Sequence, residues 1–314
     1  MLPMLTKKQH SKIIELRKQY NELAVGKTSL LRMIAEAEVA EQVYNSNAIE
    51  NSTLTIDETE KILLEIDLDR YVSVREIFEA KNLARVTEYI NNNATTKPLD
   101  REMILFLHAI LIRNIRDEIA GRFRQKDEYV RVGMHIAPAP SRIEEALEAL
   151  MMRFHADLSM SIVERIARFH LEFETLHPFV DGNGRIGRSL NNYLLVREGY
   201  VPINIRFLDR EEYYRAFNEF HYQDKTDTME RIIYRALVNS YYKRIAYLKG
   251  LEILRLSEYA RRYRLSHPNL INKAKRQTIP AFMERGTWMI ADENESGYNT
   301  THNSASTKKR TTQS

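Results

Sequence analysis

An acceptor side chain followed three positions later by an acid recurs along this chain: Thr55 and Glu58, Ser73 and Glu76, Ser141 and Glu144, Ser161 and Glu164, Asp209 and Glu212. Each pair can satisfy the free amides of a first helical turn, and each precedes a run of apolar residues at helical spacing. Breakers are scarce, with 10 glycines and 8 prolines in 314 residues. The chain is therefore expected to be mainly α, burying its apolar faces as packed helices.

Composition narrows the chemistry. There is no cysteine, which excludes disulfides, thiolate metal sites and cysteine nucleophiles and fits a reducing, cytoplasmic setting. No stretch approaches the roughly 18 apolar residues of a membrane span, so a soluble protein with no membrane partner is expected. A net charge of +4 with a pI near 9.0 does not by itself call for a polyanion.

The run from Ser161 puts Ile166, Phe169, Phe173 and Leu176 on one face and should end at Pro178, while Ile186, Leu190, Tyr193 and Leu194 resume the period until Gly199. Between these two helices lies HPFVDGNGRIGR, residues 177–188. Asp181, Gly182, Asn183 and Gly184 enter the second helix through a turn whose amides and dipole make an anion nest. Arg185 and Arg188 can grip further phosphate oxygens, and Asp181 can hold Mg²⁺ between phosphates. His177 reads as a general base; the competing reading is a histidine that satisfies a backbone carbonyl at a helix end.

HPFVDGNGR followed by Arg188 resembles the signature of the Fic family at every defined position, and the resemblance runs from about residue 10 to 245. It implies a Fic-type helical bundle and a protein adenylyltransferase, a nucleotidyltransferase moving AMP from ATP to a tyrosine, threonine or serine hydroxyl of a target protein. His177 would be catalytic, Asp181 would carry Mg²⁺, and Gly182, Asn183, Gly184, Arg185, Ile186, Gly187 and Arg188 would hold the triphosphate. Upstream, Ser46, Glu50 and Asn51 match the family's inhibitory motif, which implies that Glu50 pairs with Arg188 and competes with the γ-phosphate. The alternating stretch 121–140 loses the helical period and predicts a hairpin from Phe123 to Ile136, with Phe123 and Arg124 on one arm and Val130 to Ile136 on the other. It falls where the family has a flap over the active site, with Val132, Gly133, Met134 and His135 meeting nucleotide and the edge taking a target backbone. Tyr213 matches a position that lies against adenine. Removal of AMP at the same site, and a DNA-binding regulator that senses nucleotide, stay open as alternatives.

Residues 255–290 resemble a winged helix-turn-helix, with Ser257 capping a first helix, Leu265 and Ser266 in the turn, and His267 to Arg276 as a second helix. Arg264 stands where a glycine commonly opens such a turn. From Arg255 to Arg285 there are eight Lys/Arg and two Asp/Glu, the footprint that binding to DNA phosphates requires. The expected organisation is an N-terminal helical region with the inhibitory helix at 1–98, a Fic core at 99–248, the winged module at 249–291 and a disordered tail at 292–314. The expected partners are the target protein, DNA and a second copy of the chain.

Overall fold

The computed structural model describes residues 6–133 and 135–293. Twelve helices are found among them: α1 (Lys7–Ala24), α2 (Thr28–Ile49), α3 (Ile56–Leu63), α4 (Val74–Asn93), α5 (Arg101–Ile112), α6 (Ile143–Ala156), α7 (Ile162–Leu176), α8 (Asn183–Arg197), α9 (Arg210–Gln223), α10 (Asp227–Lys249), α11 (Leu256–Arg262) and α12 (His267–Lys275). Thr55, Ser73 and Ser161 cap α3, α4 and α7 through the amides of Glu58, Glu76 and Glu164. The other two signals fail for local reasons. Pro140–Arg142 forms a 3-10 turn, so α6 starts beyond Ser141, and the Asp209 carboxylate is taken by Arg206 at 2.9 Å.

α7 and α8 lie at the centre, with α6 and α10 against α7, and α4 and α5 against α8. α2 crosses over α4 and reaches α8. One continuous apolar core runs from Ile13 to Ile245, so residue 98 marks no break in packing. α7 is amphipathic as its spacing predicts, with Ile166, Phe169 and Phe173 in the core. A short hairpin, β1 (Arg131–Val132) and β2 (His135–Ile136), pairs Val132 with His135 around a two-residue loop. Gly133 has φ +55, the left-handed backbone such a tight turn requires.

Beyond α10, β3 (Ile253–Arg255), β4 (Ala281–Glu284) and β5 (Thr287–Ala291) form an antiparallel sheet in the order β3-β5-β4 beside α11 and α12. This module has its own core of Leu256, Ala260, Leu270, Ala274, Ala281 and Ile290. Ser257 does not cap α11: Arg255 is the cap residue, and its N–H donates to the Glu258 carboxylate at 3.1 Å. Arg264 itself takes the left-handed backbone of the turn, at φ +53. The β4–β5 hairpin is tied to the helical body. Asn239 exchanges two hydrogen bonds with the backbone of Met283, Lys243 pairs with Glu284 at 2.7 Å, and Phe282 packs on Ala246 of α10. Asp292, expected at the head of the tail, is buried; from residue 294 on, that tail lies outside the described residues. No helix among the described residues is long and apolar enough to cross a membrane.

Candidate active site

The 177–188 loop is shaped by side chains that never face solvent. α7 stops because His177 turns left-handed, φ 49 and ψ 59, and Pro178 cannot continue a helix. Asn183 then staples the loop, accepting from the Phe179 N–H and donating to its carbonyl, both at 2.9 Å. Its side chain is therefore spent on the loop and does not reach out to a nucleotide. Phe179 stacks on His108 with ring centroids 3.7 Å apart. His108 accepts from the Gly121 amide through Nδ1 and donates to the Asp181 carbonyl through Nε2. Gly182 opens α8 at φ +84, where a Cβ would press on Leu111 and Ile112 at 3.1 Å. Ile186 and Gly187, also expected at the nucleotide, face inward instead: Ile186 is in the core, and a Cβ on Gly187 would run into Glu174.

At the start of α8, Glu50 covers Gly184. A Cβ on Gly184 would collide with the Glu50 carboxylate, so the acid rests directly on the glycine, where an anionic oxygen of a substrate would sit. Glu50 ends α2 and reaches Arg188 with Oε1 at 2.9 Å. Asn51 follows in the left-handed region at φ 70, which explains why glycine or asparagine suits that place. Arg188 is only 7% exposed, against 36% for Glu50. Its guanidinium donates to Ser46 Oγ at 2.9 Å, the Ser46 carbonyl at 2.8 Å, Tyr213 Oη at 3.1 Å and Glu50. Burial opposes its charge, but Tyr213 and Glu50 outweigh that and hold its pKa above the usual arginine value. Tyr213 is thus a brace: 2% exposed, it also meets His170 at 2.8 Å and has no face left for adenine. Tyr214 is the exposed neighbour, donating to the Ile49 carbonyl at the end of α2.

His177 meets a backbone carbonyl at the end of α7 and keeps its second ring nitrogen as an acceptor. Nδ1–H donates to the Glu174 carbonyl at 3.3 Å, which leaves Nε2 as the ring acceptor. Burial pushes its pKa down to about 4, so the ring is neutral at pH 7 and ready to take a proton. Glu174 lies beneath it, with Oε2 4.0 Å from Nδ1. Burial, with the Glu50 carboxylate nearby, pushes Glu174 up to about 8 against the opposing pull of Arg188. Between about pH 4.3 and that value the folded chain keeps a proton that an unfolded glutamate has lost, so stability falls as pH rises. Glu174→Gln should remove this slope, with a melting temperature close to wild type near pH 5 and above it near pH 8.

Asp181 is a second titratable group of the loop. Burial works against its charge, but Arg185 and Arg75 hold its carboxyl below the usual range, with contacts of 3.3 and 2.9 Å. Arg185, expected on phosphate, is buried and divides itself between Asp181 and Glu79, the latter at 3.1 Å.

The hairpin is shorter than predicted and rests on an anchor. Phe123 and Arg124 form no strand; both are buried below it. The Arg124 guanidinium donates to the carbonyls of His177 (2.8 Å), Glu128 (3.0 Å), Pro138 (2.8 Å) and Leu176 (3.3 Å), and its amide to Pro178. One cation thus fixes both the end of α7 and the two sides of the hairpin. Arg124→Ala should cost about 3 kcal/mol, since several buried carbonyls lose a charged donor; a urea melt checks this. Val132 and His135 face each other in the ladder, His135 stacks on His221 at 4.4 Å, and Met134 lies outside the described residues. Sequence reasoning missed Glu174, His108 and Arg75; His108 and Arg75 reach Asp181 from 73 and 106 positions away, whereas FETLHPF already placed Glu174 one helical turn before His177.

Residues 98–195 match the family described as Fic/DOC. A protein adenylyltransferase Fic of Nematostella vectensis is 30% identical over 218 residues, 68% of this chain and 50% of that protein. The protein adenylyltransferase fic-1 of Caenorhabditis elegans is 29% identical over 223 residues, 69% of this chain and 43% of that protein. The chain spans about half the length of the curated relatives it matches. Among solved structures, Fic-1 (aa134–508) from C. elegans superposes with a TM-score of 0.67 at 26% identity, over 78% of this chain and 73% of that one. A Fic family protein from Desulfovibrio desulfuricans G20 shares the fold with a TM-score of 0.63 at 20% identity, over 94% of this chain and 99% of that one.

Proposed function

Because the chain is a Fic family protein, we propose that it is a protein adenylyltransferase held back by Glu50. The observation that carries this reading is the Glu50 carboxylate seated over Gly184 and hydrogen-bonded to Arg188, beside the neutral ring of His177. ATP is the AMP donor on this reading. The target hydroxyl gives its proton to His177 Nε2 as its oxygen attacks the α-phosphorus, and the bond to pyrophosphate breaks. Arg188 and the first amides of α8 stabilise the charge on the departing group. Positioning supplies much of the rate in transfers of this kind.

Asp181 would hold Mg²⁺: it is an ionised carboxylate with a partly exposed side chain, and magnesium commonly takes one or two carboxylates and completes its shell with phosphate and water. Such an ion would supply positive charge that offsets the charge of the phosphates. Arg75, now on Asp181 and 55% exposed, is free to yield that oxygen. The hairpin is the docking edge for the target. Ile136 there is 71% exposed, an apolar side chain offered to a partner strand.

Mass spectrometry after incubation with ATP and Mg²⁺ tests the reading. An AMP adduct on the chain itself or on a target supports it. Release of AMP from a modified protein, with no adduct formed, would replace it with the hydrolytic direction.

A further inference from the structure

α12 presents an exposed polar and basic face. Asn269, Asn272, Lys273 and Arg276 are exposed and fall on one helical stripe, opposite Leu270 and Ala274, which belong to the module's core. No acid occurs between Tyr259 and Met283. Arg261 and Arg264, at the end of α11 and in the turn before α12, are exposed as well. Most arginines of the helical body are paired, as Arg188 is with Glu50 and Arg165 with Glu198. The nearby acids Glu252 and Asp292 are taken by Arg262; the like charges on the exposed face repel one another, and a polyanion relieves that repulsion.

The shape favours one polyanion. α11 and α12 are joined by the four residues 263–266, a connection that lets the second helix stand clear and enter a major groove. Asparagine reads adenine edges there, and lysine or arginine reads guanine or meets phosphate. The β4–β5 hairpin takes no part. Arg285 at its tip donates to Asp57 at 3.1 Å and to Glu60, and its amide donates to Glu41 at 2.9 Å, so the wing faces inward onto α2 and α3. The footprint is narrower than the whole module.

We propose that the chain binds double-stranded DNA through α12, with Asn269, Asn272, Lys273 and Arg276 in the major groove and Arg261 and Arg264 on the flanking phosphates. This stands independently of the transfer reaction. The test is fluorescence anisotropy of the full chain with a duplex of about 30 base pairs, from about 50 to 200 mM salt. Lys273→Glu/Arg276→Glu is compared with Lys8→Glu/Lys225→Glu, which changes the net charge equally at exposed sites elsewhere. The first variant should lose about tenfold or more in affinity and flatten the log–log salt slope by about two, while the second stays near wild type. Equal losses in both variants, equal affinity for a single strand of the same length, or no binding at the lowest salt would overturn the proposal.

Discussion

Glu50→Gly is expected to raise AMP incorporation by about 10- to 100-fold, the range that follows from a charged hydrogen bond contributing about 1.5–3 kcal/mol. The carboxylate does two things in the resting chain. It neutralises the buried Arg188 guanidinium, and it fills the space over Gly184. In the proposed reaction, a substrate phosphate would displace it from both. Deleting the side chain frees the cradle, yet Arg188 keeps Ser46 and Tyr213 as acceptors, so the cation stays placed for phosphate. The melting temperature should therefore drop only slightly. Glu50→Gln separates charge from bulk: if ion pairing is the restraint, the amide should release most of the activity although it still covers Gly184. Labelling with ATP carrying a radioactive α-phosphate measures all three proteins. Unchanged incorporation in Glu50→Gly would show that the carboxylate does not restrain the reaction.

The fold was largely legible where the information is local. Capping pairs at Thr55, Ser73 and Ser161 mark three helix starts because donor and acceptor lie within one turn. The turn between α7 and α8 was legible for the same reason. What failed was the assignment of side chains whose partners are remote. Arg185 reads as a phosphate ligand until Glu79 and Asp181 claim it. Tyr213 reads as a platform for a base until Arg188 and His170 take its hydroxyl. Arg124 reads as a strand residue, although its guanidinium meets carbonyls from 4 to 53 positions away. In each case a charged or polar group has been drawn inside, where burial makes a partner obligatory, and no local pattern reports which partner that is. Glu50 escaped this limit only because its motif points to Arg188, 138 positions later.

The same burial sets the pH behaviour expected of the base. His177→Ala should lower transfer by about 10²- to 10⁴-fold, the usual contribution of a positioned general base, with Glu50→Gly as the background so that the loss is measured from an active enzyme. The ring is held down to about 4, chiefly by burial, with Arg124 also lowering it and Glu50 raising it. A base acts in its deprotonated form, so transfer should stay level as pH falls from about 8 to 5 and drop only as the ring begins to protonate near its own pKa. Removing Glu50 takes away a contribution that favours the charged ring, so the acid limb in this background should lie no higher than in the wild-type chain. A plot of kcat/KM against pH reads the free enzyme directly. A limb near 6.5, the value of a solvated histidine, would mean that water reaches Nε2 freely and that the pocket around His177 does not exclude it.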